Sequence, residues 1–394
     1  MRDVVIVGAA RTPIGDFLGA LKDVDPVKLS ETAANAAIER SGAPLSEIKE
    51  VACGMVYKAG HKGNPARQVQ IGVGLPVDGY AYTIDQQCAS GMKAFELIAQ
   101  SVSLGQTDVG MAVGAESMSQ AAYILKGARE GFRMGDGPEP VDTMLNDGLV
   151  CAMMGYHMGI TAENLAEEYG VAREEQDEWA LLSHSRAVAA QDGGLFEDEI
   201  APVTIESRKG VKTIDKDEHP RRDISAESLA SLRPAFKKDG TVTAGNASGV
   251  NDAAAAIILA DADKAEALGM KPLARVLSTA NFGVEPRIMG IGPAYAVPLA
   301  IGKAGLKPDD IAYYEINEAF AAQFLACNRI LELDRDKVNA RGSGIGLGHP
   351  VGCTGIRIII SLVNELKRRD ERYGVASLCV GGGPAMAVVV ENIT

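Results

Sequence analysis

Cys88 lies in DQQCASGMKA, between a strand-like run and an amphipathic segment. That position puts its sulfur at a helix N-terminus, where free backbone N–H groups and the helix dipole favour a thiolate. This is the setting of a covalent nucleophile, although most cysteines are simply small buried residues. GSGIGLGHPVGCTG, residues 342–355, is the most unusual stretch, with His349 just before a helix. The positive helix end keeps such an imidazole neutral, and a neutral imidazole can take a proton from a thiol. Cys379 ends a strand in SLCVGGGPAM. The glycines Gly381 to Gly383 can present bare N–H groups to an oxyanion, and a second thiol there suits proton transfer. Taken alone, Cys379 reads as a buried cysteine before a turn. Asn317, in EINEAF, follows a strand and opens a helix. An N-cap is its plain role, and donation to an oxyanion is the chemical one.

Two further stretches could hold a ligand. Ser207 to Arg222 carries six basic residues against three acidic ones, in a chain of net charge -13. Such a patch can receive phosphates or be an ordinary solvated loop. GNASGVNDAA, residues 245–254, offers backbone and Ser248 to an extended ligand, or is a turn and helix cap. A nicotinamide or nucleotide P-loop is weakly supported, because neither GxGxxG nor a Gly-Lys-Ser/Thr ending occurs in the glycine-rich loops.

The elements that must position these residues alternate. Val4 to Val7 reads as a strand ending at Gly8, Leu29 to Ser41 as a helix, and Ala81 to Ile84 as a second strand. Met92, Phe95, Ile98, Ala99 and Val102 then recur at helical spacing, and Val109 to Val113 is strand-like. From about Ser119 to Gly245 the character changes: GDGPEP is turn-rich and Arg173 to Gln191 is a polar-faced helix. Alternation then resumes, with strands at Ile311–Ile316 and Val375–Val380 and helices at Ala319–Ile330 and Ile356–Leu366. This is an α/β chain with a largely parallel sheet and a long insertion. YTIDQQCASGMKAFELIAQ and YYEINEAFAAQFLACNRI suggest an internal repeat.

The 394 residues are 46% hydrophobic and 23% charged, with 44 glycines. That excludes a disordered chain, and the acidic balance argues against nucleic-acid binding. The six cysteines form no CxxC pair, so a metal site is not implied. No apolar run reaches the ~18 residues of a membrane span, and the cysteine usage fits a reducing cytoplasmic setting.

Six stretches in order, DQQCASGMKA, YHMGITAENLA, RPAFKKDGTVTAGNASGVNDAA, EINEAFAAQ, GSGIGLGHPVGCTG and SLCVGGGPAMA, resemble the thiolase family along the whole chain. The resemblance implies two similar α/β halves with five-stranded mixed sheets in a five-layered α-β-α-β-α fold. It implies an N-terminal half over 1–118 and 246–271, a loop domain over 119–245 for CoA binding and oligomerisation, and a C-terminal half over 272–394. The implied reaction is reversible Claisen condensation of two acetyl-CoA to acetoacetyl-CoA and CoA, or thiolytic cleavage. Coenzyme A is a substrate there, and no cofactor is implied. By the resemblance Cys88 carries the acyl group, His349 activates it and Cys379 is the carbon acid/base. Asn317 and His349 form one oxyanion hole, and the amides of Cys88 and Gly381 form the other. Leu149, Ser228, Leu232, Phe236, Ala244 and Ser248 match CoA-lining positions, Arg221 the nucleotide end, and His157, Met158 and Phe320 the substrate-binding set. His157-Met158 resembles the short-chain, biosynthetic type. Cys353 in GHPVGCTG is closer to degradative relatives, which act on longer 3-ketoacyl-CoA substrates, and GHKGNPARQ departs from the usual run before NPARQ. A ketoacyl synthase would need a Cys-His-His set. Homodimers or homotetramers are implied as partners.

Overall fold

The computed structural model describes every residue except Asp136 and Lys209. One position of GDGPEP and one of the basic segment therefore lie outside the described residues. Five strands form the N-terminal sheet: β1 (Val4–Arg11), β2 (Ile48–Gly54), β3 (Tyr80–Ile84), β4 (Val109–Ser117) and β5 (Asn251–Asp261). Their order is β1-β5-β4-β2-β3. β1 does not stop at Gly8 but runs on to Arg11, its register against β5 shifting between Ile6 and Gly8.

The C-terminal strands are β6 (Ala274–Gly283), β7 (Tyr313–Ile316), β8 (Tyr373–Cys379) and β9 (Pro384–Asn392), in the order β6-β9-β8-β7. Antiparallel and parallel pairings follow the same sequence in both halves. The fifth C-terminal strand is reduced to one parallel bridge, Tyr314 to Val338. The two sheets are continuous through the pairs Val5–Arg275 and Ile6–Ala274.

This topology corrects the register of the internal repeat. β3 corresponds to the bridge at Val338, so the Cys88 stretch answers to the His349 stretch. EINEAF answers instead to the residues after β2.

Helices α1 (Pro26–Ser41), α2 (Ser90–Ser103), α3 (Met158–Glu168), α4 (Arg173–Asp192), α5 (Pro293–Lys303), α6 (Ala321–Leu331) and α7 (Val351–Arg369) complete the frame. Residues of β1, β4, β5, β8 and β9 are buried on both faces, so period-2 alternation sorts them between two cores. Ile257 and Leu259 face α2 and α7, with Val388 and Val390 closing that core from the other sheet. Ala256 and Ile258 face α1. Ala387 and Val389 face α5 and α6. The result is five layers with α2 and α7 in the middle.

Met92, Phe95, Ile98 and Val102 are fully buried in the central layer, each large side chain contributing about 1.5–3 kcal/mol. Glycine lets the two central helices meet at their N-termini. A Cβ on Gly91 would lie 2.6 Å from the carbonyl oxygen of Gly352. Within 119–245 lie α3, α4, and the hairpins Tyr123–Ile124/Val141–Asp142 and Val203–Ser207/Gly210–Ile214. Among the described residues, no helix is long and apolar enough to cross a membrane.

Candidate active site

Two helix entrances converge on one point. α2 begins at Ser90, two residues after Cys88, and the turn before it bends through Gln87 at φ 49°. Cys88 is half-buried against the cluster of Val56, Tyr57, Met118 and Val351, on which Leu149 also packs. Burial pushes its thiol up to about 11, while the backbone amides of Gly381 and of Cys88 itself draw it down. The resting thiolate expected from the helix dipole is therefore not what this environment favours. Desolvation of the charged form outweighs the dipole.

His349 is buried just before α7. Its Nδ1 lies 2.7 Å from Thr354 Oγ1, whose hydroxyl donates to the Pro350 carbonyl at 3.0 Å. With the hydroxyl proton committed, Oγ1 accepts from Nδ1–H, which leaves Nε2 as a bare acceptor. Nε2 has no protein hydrogen-bond partner among the described residues. The ring pKa falls to about 3, through burial first and the Arg357 charge second. The imidazole is neutral as expected, but mainly by desolvation.

Asn317 lies 3.4 Å from His349 Nδ1 through its Nδ2. It is not a helix N-cap, because α6 starts only at Ala321. Its backbone N–H instead extends the β7–β8 pairing by donating to Ser377 at 2.9 Å. Its Oδ1 is buried without a protein partner among the described residues, so one amide end remains for a ligand or water.

Cys379 closes β8 and is fully buried. Burial, then the nearby Cys88, raises its pKa well above 9.0. The turn that follows returns the chain to β9, with Gly382 and Gly383 at φ 93° and 113°. Met158 touches this turn: a Cβ on Gly381 would lie 2.7 Å from its Cε. His157 stacks on Phe236 at 4.6 Å between ring centroids, and Phe236 meets Phe320 edge-on at 6.0 Å. Met158 and Phe320 share an apolar cluster with Cys379, with Leu232 and Phe236 packed against it.

Ser248 is half-buried, and its N–H donates to Ala319 at 3.0 Å. Ser228 is exposed and forms a reciprocal cap with Ser225, and Ala244 is exposed. Arg221 is exposed with no side-chain partner among the described residues, whereas Arg222 is held by Asp192 at 2.8 and 2.6 Å. The basic segment is not a freely solvated loop. Asp217 binds the buried Arg11 at 2.7 and 2.9 Å, and Glu218 accepts from the amides of Asp16 and Ala20.

Sequence reasoning missed the residues that brace the site. Glu116 accepts from the amides of Val56, Tyr57 and Gly352, and burial pushes its carboxyl up to about 7 against those bonds. Glu318 accepts from Trp179 Nε1, Ser183 Oγ and Asn339 Nδ2. Ser183 in turn accepts from the Gly346 amide at 3.0 Å, fixing the glycine loop. Two carboxylates inside the apolar run IAYYEINEAF were the available signal for Glu318.

Residues 4–263 match the model of the thiolase N-terminal domain, and residues 270–392 match that of the thiolase C-terminal domain. An acetyl-CoA acetyltransferase of Chromobacterium violaceum is 50% identical, covering 99% of this chain and 100% of that protein. The solved acetyl-CoA acetyltransferase of Syntrophomonas wolfei is 51% identical with a TM-score of 0.97, each chain covered to 100%. Human mitochondrial 3-ketoacyl-CoA thiolase superposes with a TM-score of 0.97 at 41% identity, over 100% of this chain and 99% of that one. The chain belongs to the thiolase family.

Proposed function

We propose that the chain interconverts two acetyl-CoA with acetoacetyl-CoA and CoA, as the named acetyl-CoA acetyltransferases do, through an acyl thioester on Cys88. The observation that carries this is Cys88 set against the Gly381 amide and near Cys379, at the point where the helix it precedes abuts the helix preceded by the buried, neutral His349, under the cover of Met158.

In the first half-reaction His349 Nε2 takes the Cys88 proton as the sulfur attacks the thioester carbon. The developing oxyanion is held by the N–H groups of Cys88 and Gly381. Cys379 gives its proton to the departing CoA thiolate. As a buried thiolate, Cys379 is then a strong base for the methyl group of the second acetyl-CoA. The enolate oxygen is held by protonated His349 and by Asn317 through a water. Attack on the acyl group forms the carbon–carbon bond and expels the Cys88 thiolate. His349 returns the proton to Cys88, and Cys379 retains the one it took from carbon. Cleavage is the reverse.

Arg221 suits the phosphates of CoA, and Ser248 with Leu149, Ser228, Leu232, Phe236 and Ala244 suits its pantetheine path. His157, Met158 and Phe320 form the acyl wall. The outer edge of β3, with Tyr80 48% exposed, supports assembly of copies into a dimer or tetramer. All six cysteines are unpaired, which fits a reducing cytoplasmic compartment.

The test is CoA-dependent cleavage of acetoacetyl-CoA beside a longer 3-ketoacyl-CoA at equal concentration. Preference for acetoacetyl-CoA supports the proposal. Preference for the longer chain moves the enzyme to the degradative class, and cleavage of neither refutes both.

A further inference from the structure

Asn251 opens β5 and is fully buried. Its side chain joins two parts of the molecule that nothing in the mechanism above connects. On one side Oδ1 accepts the backbone N–H of His349 at 2.9 Å. On the other, Nδ2 donates to the Gly15 carbonyl at 3.1 Å and lies 3.4 Å from both Asp16 Oδ1 and His219 Nδ1. His219 is itself held to Asp16 at 2.6 Å.

The fit is close on every side. Gly348, at φ 99°, would bring an added Cβ to 2.6 Å from Asn251 Cγ, and a Cβ on Gly249 would lie 2.7 Å from Oδ1. Behind His219 the rings of His184 and His219 stand 5.9 Å apart, and the Arg221 amide donates to His184 Nδ1 at 3.3 Å. A continuous set of contacts thus runs from the base to the segment carrying Arg221.

We propose that Asn251 is a positioning residue: it anchors the main chain of His349 to the wall formed by Gly15, Asp16 and His219, and so keeps Nε2 aimed at Cys88. The inference rests on the proposed roles of His349 and Cys88. Thr354 sets which nitrogen is bare; Asn251 sets where the ring stands. One hydrogen bond to a backbone amide is a small feature, but a general base displaced by about 1 Å loses on the order of 100-fold in rate.

The experiment compares Asn251→Ala with Asn251→Asp, which keeps an acceptor at the same reach. Two readouts are taken: the kcat and KM of thiolysis, and the rate at which p-nitrophenyl acetate acetylates Cys88, a reaction that, unlike alkylation through the free thiolate, needs the base as the carbonyl arrives. The expected result for Asn251→Ala is a fall in kcat of about 30- to 100-fold with KM for CoA within about twofold. Cys88 acetylation should slow in parallel, and Asn251→Asp should recover at least about a third of both rates. If the alanine variant does not fold, Asn251→Ser, whose hydroxyl is too short to reach the His349 amide, carries the same expectation. Unchanged kcat and acetylation in a folded alanine or serine variant overturns the proposal. So does an equal loss in the Asp and Ala variants, or a loss confined to KM. Acetylation by the ester requires no acyl-CoA, so that arm stands even if the wild-type protein fails to cleave acetoacetyl-CoA.

Discussion

Cys88 in the resting site should be a thiol, not half of a thiolate–imidazolium pair, and the reactivity of the free protein tests this. Burial holds the Cys88 thiol up at about 11 and brings His349 down to about 3. The two values stand about 8 pH units apart, which sets an upper bound of roughly 10 kcal/mol on moving the proton from sulfur to imidazole, before the attraction of the resulting charges is counted. With that attraction counted, the ion pair remains a minor species of the resting site, because both groups are desolvated. The thiolate forms only below the Cys88 and Gly381 amides as a thioester carbonyl arrives and charge passes to its oxygen. The assay is alkylation of Cys88 by iodoacetamide without substrate, followed by peptide mass spectrometry from about pH 5 to about pH 10. Because the thiol form dominates below its raised pKa, the rate should climb about tenfold per pH unit and reach no plateau in that range. A protease-like ion pair would give a fast, flat rate from about pH 5 upward. A plateau below pH 7 would refute the reasoning, because it requires the charged pair that burial disfavours.

Met158 is 8% exposed and covers the Gly381 turn. Met158→Ala should cost about 2–5 kcal/mol in urea unfolding and raise kcat/KM for a longer 3-ketoacyl-CoA at least about tenfold relative to acetoacetyl-CoA; an unchanged ratio would remove Met158 from the acyl wall. Arg221→Ala should raise KM for CoA about tenfold with kcat unchanged, whereas Arg222→Ala, already engaged by Asp192, should do less. The reverse order in initial-rate measurements would reassign the nucleotide contact. Arg11→Ala leaves Asp217 and Glu199 buried without their cation and should cost about 3–5 kcal/mol of unfolding free energy. A loss below about 1 kcal/mol would mean that the two carboxyls find other partners.

Cys88, His349 and Cys379 were legible because each sits where a strand or helix breaks at glycine or small residues, and such breaks leave backbone N–H groups free. Their ionisation was not legible in the same way. The helix-end argument gave the right direction for His349 but the wrong one for Cys88. The deciding quantity is desolvation, which depends on Val56, Tyr57, Met118 and Val351 arriving from distant parts of the chain. The same holds for Asn251 and Glu116: Asn251 falls in a stretch that reads as a turn and helix cap, Glu116 lies just past the strand expected at Val109–Val113, and only the pairing of β5 beside β4 turns them toward the His349 loop and the Gly352 amide. The outer face of the basic segment was visible as charge, but the burial of Asp217 against Arg11 was not, because the partners are 206 residues apart.

The misplaced repeat is the most instructive case. Two stretches that look alike, each a strand, a polar turn and a helix, are not the equivalent ones; strand pairing makes the Cys88 and His349 stretches equivalent instead. That equivalence explains the chemistry physically. Each half supplies one central helix, and glycines at Gly91 and Gly355 let the two N-termini touch. Equivalent positions therefore face each other across the approximate two-fold relation of the halves. One carries a sulfur and the other an imidazole, so the proposed nucleophile and its proposed base come from different halves by construction. The ends of the strands beside them diverge likewise, with Glu116 near the end of β4 and Cys379 at the end of β8. On the N-terminal side the carboxyl is spent on three backbone amides and braces the loop. On the C-terminal side a buried thiol stands beside Cys88 with a strongly raised pKa, the property a carbon acid/base requires. A symmetric scaffold thus holds an asymmetric site, because the residue types differ at matched strand and helix ends while the backbone frame does not.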